Sequence, residues 1–153
     1  MQATEIITYH PSYRQNFVDL NKEWLQKYFT VEPHDQNTFD HLEQEILEPG
    51  GEIFFCLYDN EVAGTVAMQK IDEETFELAK MAVSEKYKGK GLSNILMETC
   101  IRFARDKGVS KIILLSNRSL TPAINLYRKF SFREVPMGET DYSRANIQME
   151  LVL

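Results

Sequence analysis

The feature that most constrains the fold is a short basic loop with two glycines, Tyr87-Lys88-Gly89-Lys90-Gly91-Leu92-Ser93-Asn94. An apolar, strand-like run over Leu78 to Val83 precedes the loop, and an amphipathic helical pattern follows it directly. A strand, a glycine loop and a helix in this order can form a phosphate-binding site. The first backbone N–H groups of a helix have no partner within the helix, and the helix dipole attracts an anion there. We therefore expect a phosphorylated ligand at this loop.

The loop alone does not identify the ligand. The long glycine spacing and the Gly-Lys-Ser/Thr ending of a P-loop are absent, and Gly89-Lys90-Gly91 lacks the third glycine of a dinucleotide fingerprint. A plain tight turn before a helix explains the same residues equally well.

Composition and charge exclude several classes of protein. The 153 residues predict one domain, residues 1–153, and the net charge of -6 argues against a nucleic-acid-binding module. No apolar run approaches the ~18 residues of a membrane span, and the polar N-terminus lacks the pattern of a secretory signal. Two cysteines far apart in apolar patterns, Cys56 and Cys100, indicate free buried thiols in a reducing cytoplasm. We expect a cytoplasmic protein that binds neither nucleic acid nor membrane.

Hydrophobic periodicity predicts an α/β fold. A 3.6-residue period indicates helices at 13–29 and about 37–47, the second ending at Pro49-Gly50-Gly51. Strand patterns follow at 53–58, 62–68 and 76–83, with a turn at Asp59-Asn60. After the glycine loop come a helix closed by Gly108, a strand at 111–116 parallel to its predecessor, and a helix with Thr121 as N-cap. Closing strands at 132–135 and 145–152 give the order ααβββαβαββ around one mixed sheet.

The loop and the segments around it resemble the GNAT superfamily of N-acetyltransferases. The family signature is Arg or Gln, two residues, Gly, one residue, then Gly or Ala, and its register falls on Lys88, Gly91 and Ser93. Downstream residues resemble the second family block: Asn117, Ala123-Ile124, Leu126-Tyr127, Lys129 and Phe132. Residues 23–29, 49–51 and 142–151 resemble one branch of the superfamily, so the likeness covers nearly the whole chain.

This resemblance implies a GNAT-like three-layer sandwich with a mixed central sheet, an N-terminal helix pair and a βαβα acetyl-CoA-binding core. Acetyl-CoA is the implied cosubstrate, and no metal is implied. Two residues depart from the signature: Lys88 replaces Arg or Gln, and Ser93 replaces Gly or Ala. Because backbone amides supply most of the pyrophosphate contacts in this family, we expect binding to survive with altered affinity. The implied cofactor-binding residues are Met81, Ala82, Val83, Lys88, Gly89, Lys90, Gly91, Leu92, Ser93, Asn94, Asn117 and Lys129.

The resemblance also implies the chemical roles. The backbone of Met81 and Val83 pairs with the pantetheine arm as an added strand, and the N–H of Val83 or its neighbour holds the oxyanion. Tyr127 is at the general-acid position; its helical pattern by itself favours a core aromatic, whereas the flanking Asn117, Ala123 and Phe132 favour the catalytic role. Asn117 contacts the pantetheine or a water, unless it is only a turn asparagine.

The general base is less constrained. Glu77, at the start of the third strand, matches a carboxylate that acts through water, and a solvated strand residue explains it equally well. Glu23 and Asp35 lie in segments expected to line the acceptor pocket, but each is interpreted as a surface charge. The three histidines lack metal-ligand spacing, and no Cys-His or Ser-His-Asp grouping predicts an acyl-enzyme.

The predicted function is acetyl-CoA-dependent N-acetylation of a primary amine, on a small molecule or a peptide, through a ternary complex. The acidic net charge favours a cationic acceptor. Two alternatives stay open: a non-catalytic CoA-binding or sensor module, and a transferase of a longer acyl group. The chain is expected to be a monomer or a homodimer.

Overall fold

The computed structural model describes residues 4–153, in which seven strands form one mixed sheet. The strands are β1 (Thr4–Thr8), β2 (Glu52–Tyr58), β3 (Glu61–Asp72), β4 (Thr75–Val83), β5 (Lys111–Ser116), β6 (Arg133–Val135) and β7 (Ile147–Val152). The helices are α1 (Arg14–Tyr28), α2 (Pro33–Asp40), α3 (Leu92–Asp106) and α4 (Thr121–Lys129). The spatial order is β1-β2-β3-β4-β5-β7-β6, and β4–β5 is the parallel pair, which confirms the predicted crossover through α3.

The sheet is covered on both faces because its strands alternate between two cores. In β2, Phe54 and Cys56 belong to the core that packs on α3, while Ile53 and Phe55 belong to the core under α1 and α2. Successive side chains of a strand point to opposite faces, so one apolar run serves both cores. The result is the predicted three-layer α/β sandwich.

Several elements differ from the sequence prediction at the N-terminal side. β1 was not predicted; it pairs antiparallel with β2. The second helix begins earlier than predicted, at Pro33, and the segment Glu43–Leu47 after it is wound as a separate wide π-helical turn. Proline at the first turn favours a helix start there, and the backbone N–H of Glu32 donates to Asp35 Oδ2 at 2.9 Å.

Two further predictions concern turns. Asp59 and Asn60 have φ values of 50° and 67°, the left-handed conformation of a tight hairpin turn, so the predicted β2–β3 hairpin is confirmed. The N-cap of α4 is Leu120 and not Thr121, which is the first residue of the helix and is followed by Pro122 in the first turn.

Both cysteines are free and buried, as predicted. Burial raises the pKa of the Cys56 thiol to about 11, and it also raises that of Cys100, so neither is a thiolate near neutral pH. Among residues 4–153, no helix combines the length and the apolar character that crossing a membrane requires.

Strand β4 has two irregularities that shape the centre of the molecule. Its ladder with β3 contains a bulge, since Ala67 pairs with Ala79 but Thr65 pairs with Ala82, and Lys80 within the bulge has φ of 58°. Its parallel pairing with β5 is limited to Thr75–Glu77 against 111–113. Beyond Glu77 the two strands diverge and leave a gap in the sheet.

Candidate active site

The gap between β4 and β5 contains two adjoining cavities. The larger is about 540 Å³ and extends from the end of β4 along the glycine loop to the first turn of α4. The smaller is about 100 Å³ and lies between α1, the middle of β4, the end of β5 and the β6–β7 loop. Five residues line both cavities and mark where they meet: Trp24, Phe29, Met81, Leu120 and Tyr127.

The end of β4 presents backbone groups to the larger cavity. The N–H of Ser84 donates to the carbonyl of Ala63 in β3 at 2.8 Å, so Ser84 and Ala63 form a hydrogen-bonded pair. The next pair along the same ladder is Val83 opposite Gly64. Hydrogen-bonded and non-hydrogen-bonded pairs alternate along an antiparallel ladder. The N–H and C=O of Val83 are therefore directed away from β3, toward the edge of β4 that borders the gap.

The glycine loop closes one end of this cavity. Gly89 and Gly91 have φ values of 79° and 76°, a conformation that L side chains rarely adopt. Neither N–H donates to an acceptor within residues 4–153. Two outward amides next to the start of α3 form a concave donor surface that suits an anion.

Lys88, the first residue of the signature, is already paired in this structure. Its Nζ lies 3.0 Å from the Tyr28 hydroxyl and 2.9 Å from Glu85 Oε1. The hydrogen bond to Tyr28 and then the pair with Glu85 raise the pKa of Lys88. The side chain therefore connects α1 to the loop between two residues that line the larger cavity, and it stays charged.

Most of the predicted cofactor-binding residues come together. Nine of them line the larger cavity: Met81, Ala82, Val83, Lys88, Gly89, Gly91, Leu92, Ser93 and Asn94. Lys90 is not among the lining residues, and its ammonium lies over the ring of Tyr58 at 5.9 Å. Lys129 also lies outside the lining, but it donates to Oδ1 of the lining residue Asn94 at 2.6 Å.

Asn117 lines the smaller cavity and organises two loops. Its Nδ2 donates to the carbonyl of Arg144 at 2.7 Å, and its Oδ1 accepts from the N–H of Ser119 at 2.9 Å. Because these bonds use both ends of the amide within the protein, Asn117 fixes the β5–α4 turn against the β6–β7 loop.

Tyr127 is on α4 at the junction of the cavities. Burial raises the pKa of its hydroxyl to about 12, and a hydrogen bond with Ser116 opposes that shift without cancelling it. The phenol is therefore protonated near neutral pH and can donate a proton to an anion formed beside it.

Glu77 lines the smaller cavity, at the last residue where β4 pairs with β5. Burial raises the pKa of its carboxyl group, and the positive charge of Lys80 partly opposes this effect. A carboxylate with a raised pKa is a stronger base than an exposed one.

An ionic cluster at the wall of the smaller cavity was not predicted from the sequence. It consists of Glu32, Asp35, Lys80, Tyr142 and Arg144. Asp35 is completely buried, so its interpretation as a surface charge was wrong. Burial by itself raises the pKa of Asp35, but the hydrogen bonds from Arg144 and the charge of Lys80 outweigh it and hold the pKa at about 2.

The bulge in β4 makes this cluster possible. Phe76 and Leu78 face the core on α3, and regular alternation would direct residue 80 to that face too. The extra residue in the bulge turns Lys80 to the opposite face, where it pairs with Asp35 and lies over the ring of Phe39 at 5.5 Å. Glu77 and Lys80 consequently border the same cavity.

The other charged candidates lie elsewhere. Glu23 is exposed and accepts from the N–H of Glu85 at 3.1 Å. His34 packs edge-on against Tyr142, with ring centroids 4.8 Å apart, while His10 and His41 are exposed. Within residues 4–153, no group of three His, Cys, Asp or Glu side chains could hold a metal ion.

Comparison with known proteins places this architecture in a family. The model of the acetyltransferase (GNAT) family matches residues 18–132. The N-acetylaspartate synthetase of Rattus norvegicus is 31% identical over 103 residues, which cover 66% of this chain and 34% of that protein. The chain thus spans about a third to two fifths of the length of the curated relatives that it matches.

Solved structures share the fold at lower identity. A GNAT-family acetyltransferase from Staphylococcus aureus superposes with a TM-score of 0.88 at 20% identity, over 98% of this chain and 99% of that chain. The PaiA N-acetyltransferase of Thermoplasma acidophilum, solved in complex with coenzyme A, gives a TM-score of 0.79 at 15% identity, over 99% of each chain.

Proposed function

The chain belongs to the acetyltransferase (GNAT) family, and from that membership we propose that it transfers an acetyl group from acetyl-CoA directly to a primary amine of a small molecule or a peptide. One observation supports this proposal above all others. A cavity bordered by anion-binding amides and an exposed strand edge adjoins a smaller cavity that contains a carboxylate, and a protonated phenol lies where the two meet.

The larger cavity suits the cosubstrate. Acetyl-CoA supplies an activated acetyl thioester, and its pyrophosphate can accept from the amides of Gly89 and Gly91. The carbonyl of Val83 faces the gap, where it can accept from an amide N–H of the pantetheine arm. The thioester then lies near Tyr127.

The residues around the junction of the two cavities have separate roles in acyl transfer. Glu77 accepts the proton that the amine loses as its nitrogen attacks the thioester carbonyl. The N–H of Val83 donates to the oxygen that becomes negative in the tetrahedral intermediate. Tyr127 gives its proton to the CoA thiolate as the carbon–sulfur bond breaks, and the amide product and free CoA remain. Cys56 and Cys100 are buried thiols outside both cavities, which favours direct transfer over an acyl-enzyme.

The test is release of the CoA thiol from acetyl-CoA with a broad panel of amines. We expect at least one class of amine to accelerate release, and we expect Tyr127→Phe to lower kcat by about 100-fold or more while CoA still binds. Tyr13→Phe is the matched control, since Tyr13 packs on Phe55 in the other core and lines neither cavity.

The outcomes separate the proposal from its alternatives. If CoA binds but no amine accelerates thiol release, the chain is a CoA-binding module and the enzyme proposal is wrong. If Tyr127→Phe turns over at the wild-type rate, the transferase proposal stands and the general acid is a different group.

A further inference from the structure

The wall of the smaller cavity contains two cations whose counter-ions lie behind it. Lys80 and Arg144 both line the cavity, whereas Asp35 and Glu32 do not. The side chain of Asp35 is 0% exposed and that of Glu32 is 13% exposed. The two carboxylates thus neutralise the cluster from outside the cavity lining, and the two cationic side chains border the cavity.

Hydrogen bonding fixes which edge of Arg144 remains available. Its Nη1 and Nη2 donate to the two oxygens of Asp35, both at 2.7 Å, and Nη1 also donates to Glu32 Oε2 at 3.0 Å. A guanidinium has five N–H groups. Within residues 4–153, the Nε–H and the second Nη2–H have no acceptor, and these two groups form the parallel pair along one edge of the guanidinium.

Lys80 adds a further donor beside that edge. Its Nζ donates to Asp35 and to the Tyr142 hydroxyl, the latter at 3.0 Å, which uses two of its three N–H groups. The ring of Tyr142 holds both cations in place, with Arg144 Cζ at 4.4 Å and Lys80 Nζ at 4.7 Å from its centroid. The donors are therefore oriented before any ligand binds.

From this arrangement we infer that the acceptor carries a carboxylate close to its amine, as an amino acid does, and that Arg144 and Lys80 bind this carboxylate. This inference rests on the proposed transferase function. A carboxylate matches the side-on edge of a guanidinium with two parallel hydrogen bonds, which neither an ammonium group nor a hydrocarbon can accept. The bulge in β4 puts Lys80 on the same side as Glu77, so the amine and the carboxylate of one small molecule can be held together.

The size of the cavity agrees with this class of acceptor. Its volume is about 100 Å³. An engineered cavity of ~150 Å³ in another protein holds one benzene ring, so the smaller cavity suits a group of a few heavy atoms, such as the amine and carboxylate end of an amino acid. The local charges also replace the expectation drawn from the net charge of -6, because charged groups that border a ligand interact with it more strongly than distant, screened surface charges.

The experiment compares matched amines in the thiol-release assay with acetyl-CoA: a series of amino acids, their α-amides and the corresponding decarboxylated amines. We expect kcat/KM for the amino acids to exceed that of their α-amides by about 10-fold or more. Amino amides are less basic and so carry more neutral amine at the same pH, which means that amine basicity works against this result. Equal or better turnover of amides or simple amines overturns the inference and leaves the transferase proposal intact, whereas no turnover of any series with CoA still bound overturns the transferase proposal.

A variant tests the residue. Arg144→Lys keeps a positive charge near Asp35 but removes the parallel N–H pair, so the preference for acid over amide should fall toward 1 while amide turnover persists. Arg118→Lys is the control, because Arg118 pairs with Glu134 on the exposed surface. If the acid preference is unchanged in a folded Arg144→Lys protein, the assignment to Arg144 is wrong.

A measurement on the wild-type protein covers the case in which that variant does not fold. N-acetyl amino acids and N-acetyl amino amides are titrated into the CoA-bound protein by calorimetry. Tighter binding of the acids is expected, and equal or tighter binding of the amides contradicts the inference.

Discussion

Lys80 lies in a position where an unpaired charge would be costly. Its side chain is 7% exposed, and it is directed into the protein because the bulge turns it there. Burial lowers the pKa of Lys80, while the charge and hydrogen bond of Asp35 oppose that effect. The single Asp35 carboxylate serves two cations, Lys80 and Arg144, so it is the residue on which the cluster most depends.

Replacing Asp35 by asparagine is expected to lower the free energy of unfolding by about 3–5 kcal/mol, because two buried cations lose their shared counter-ion. Urea unfolding at neutral pH measures the change. Asp19→Asn serves as the control, since Asp19 is an exposed carboxylate on α1 that accepts from Gln15. A loss as small as that of the control would mean that water or neighbouring groups replace Asp35.

The low pKa of Asp35 predicts that the free energy of unfolding decreases in acid. This pKa is about 2 in the folded protein and ~3.9 in an unfolded chain. The stabilisation is therefore complete above pH 4 and is lost as the pH falls toward 2, by about 2 kcal/mol. Asp35→Asn should lack this part of the acid dependence.

Glu77 predicts a pH dependence of activity. A base acts in its deprotonated form, so kcat/KM should fall as the pH drops through the pKa of Glu77, which burial raises above its usual range. Glu77→Gln should lower kcat by about 100-fold and flatten this acidic limb. Glu98→Gln, on the exposed side of α3, is the control and should match the wild type. If Glu77→Gln keeps the wild-type pH profile, Glu77 is not the base.

Among the elements, the segment from β4 through the glycine loop to α3 concentrates the features of the site. The bulge at Lys80 re-aims a side chain, the unpaired edge at Val83 presents backbone groups, and Gly89 and Gly91 turn the chain into the helix. These are backbone features, which explains why Lys88 and Ser93 can replace the usual signature residues without removing the donor surface.

Two glycines offer a matched test of this element. Gly91 and Gly108 have φ values of 76° and 73°, and a Cβ at either position would meet no atom within 4 Å. Replacing either glycine by alanine should therefore lower the free energy of unfolding by a similar amount, about 1–2 kcal/mol, through backbone strain alone. Calorimetric titration with CoA should show weaker binding for Gly91→Ala and unchanged binding for Gly108→Ala, and equal binding by both variants would place the pyrophosphate elsewhere.

At the scale of the whole molecule, the gap between β4 and β5 divides the sheet, and the cosubstrate is proposed to fill it. β5 keeps full pairing with β7 on its other side, whereas its pairing with β4 covers three residues of each strand. A ligand that bridges the gap adds contacts between the two parts of the sheet. Binding should consequently stabilise the fold as a unit.

Thermal unfolding with different acyl-CoA molecules measures this effect and the acyl preference together. At about 100 times its Kd, acetyl-CoA should raise Tm by about 5 to 10 °C. Acetyl-CoA should stabilise more than propionyl-CoA or longer chains, and ADP, which lacks the pantetheine arm, should stabilise less. A larger shift with a long acyl-CoA would favour the alternative of a longer-chain transferase.

The sequence alone predicted the fold class and most of the lining of the larger cavity, because the informative patterns are local. The strand, glycine loop and helix around Gly91 are contiguous, and the helices at α1 and α3 show clear periods, so the α/β fold and the lining of the larger cavity could be predicted. β1 lies in a polar N-terminal segment with no strong period, and its pairing with β2 depends on residues about fifty positions away.

Only the tertiary structure decided which charged residues meet at the smaller cavity. Asp35, Lys80 and Arg144 are far apart in the sequence, and each looks like an ordinary surface charge in its own segment. Their contact depends on a bulge that reverses the direction of Lys80 and on the β6–β7 loop that brings Arg144 to α2. Local sequence determines backbone conformation and periodicity, whereas the pairing of buried charges depends on long-range packing, which no local pattern records.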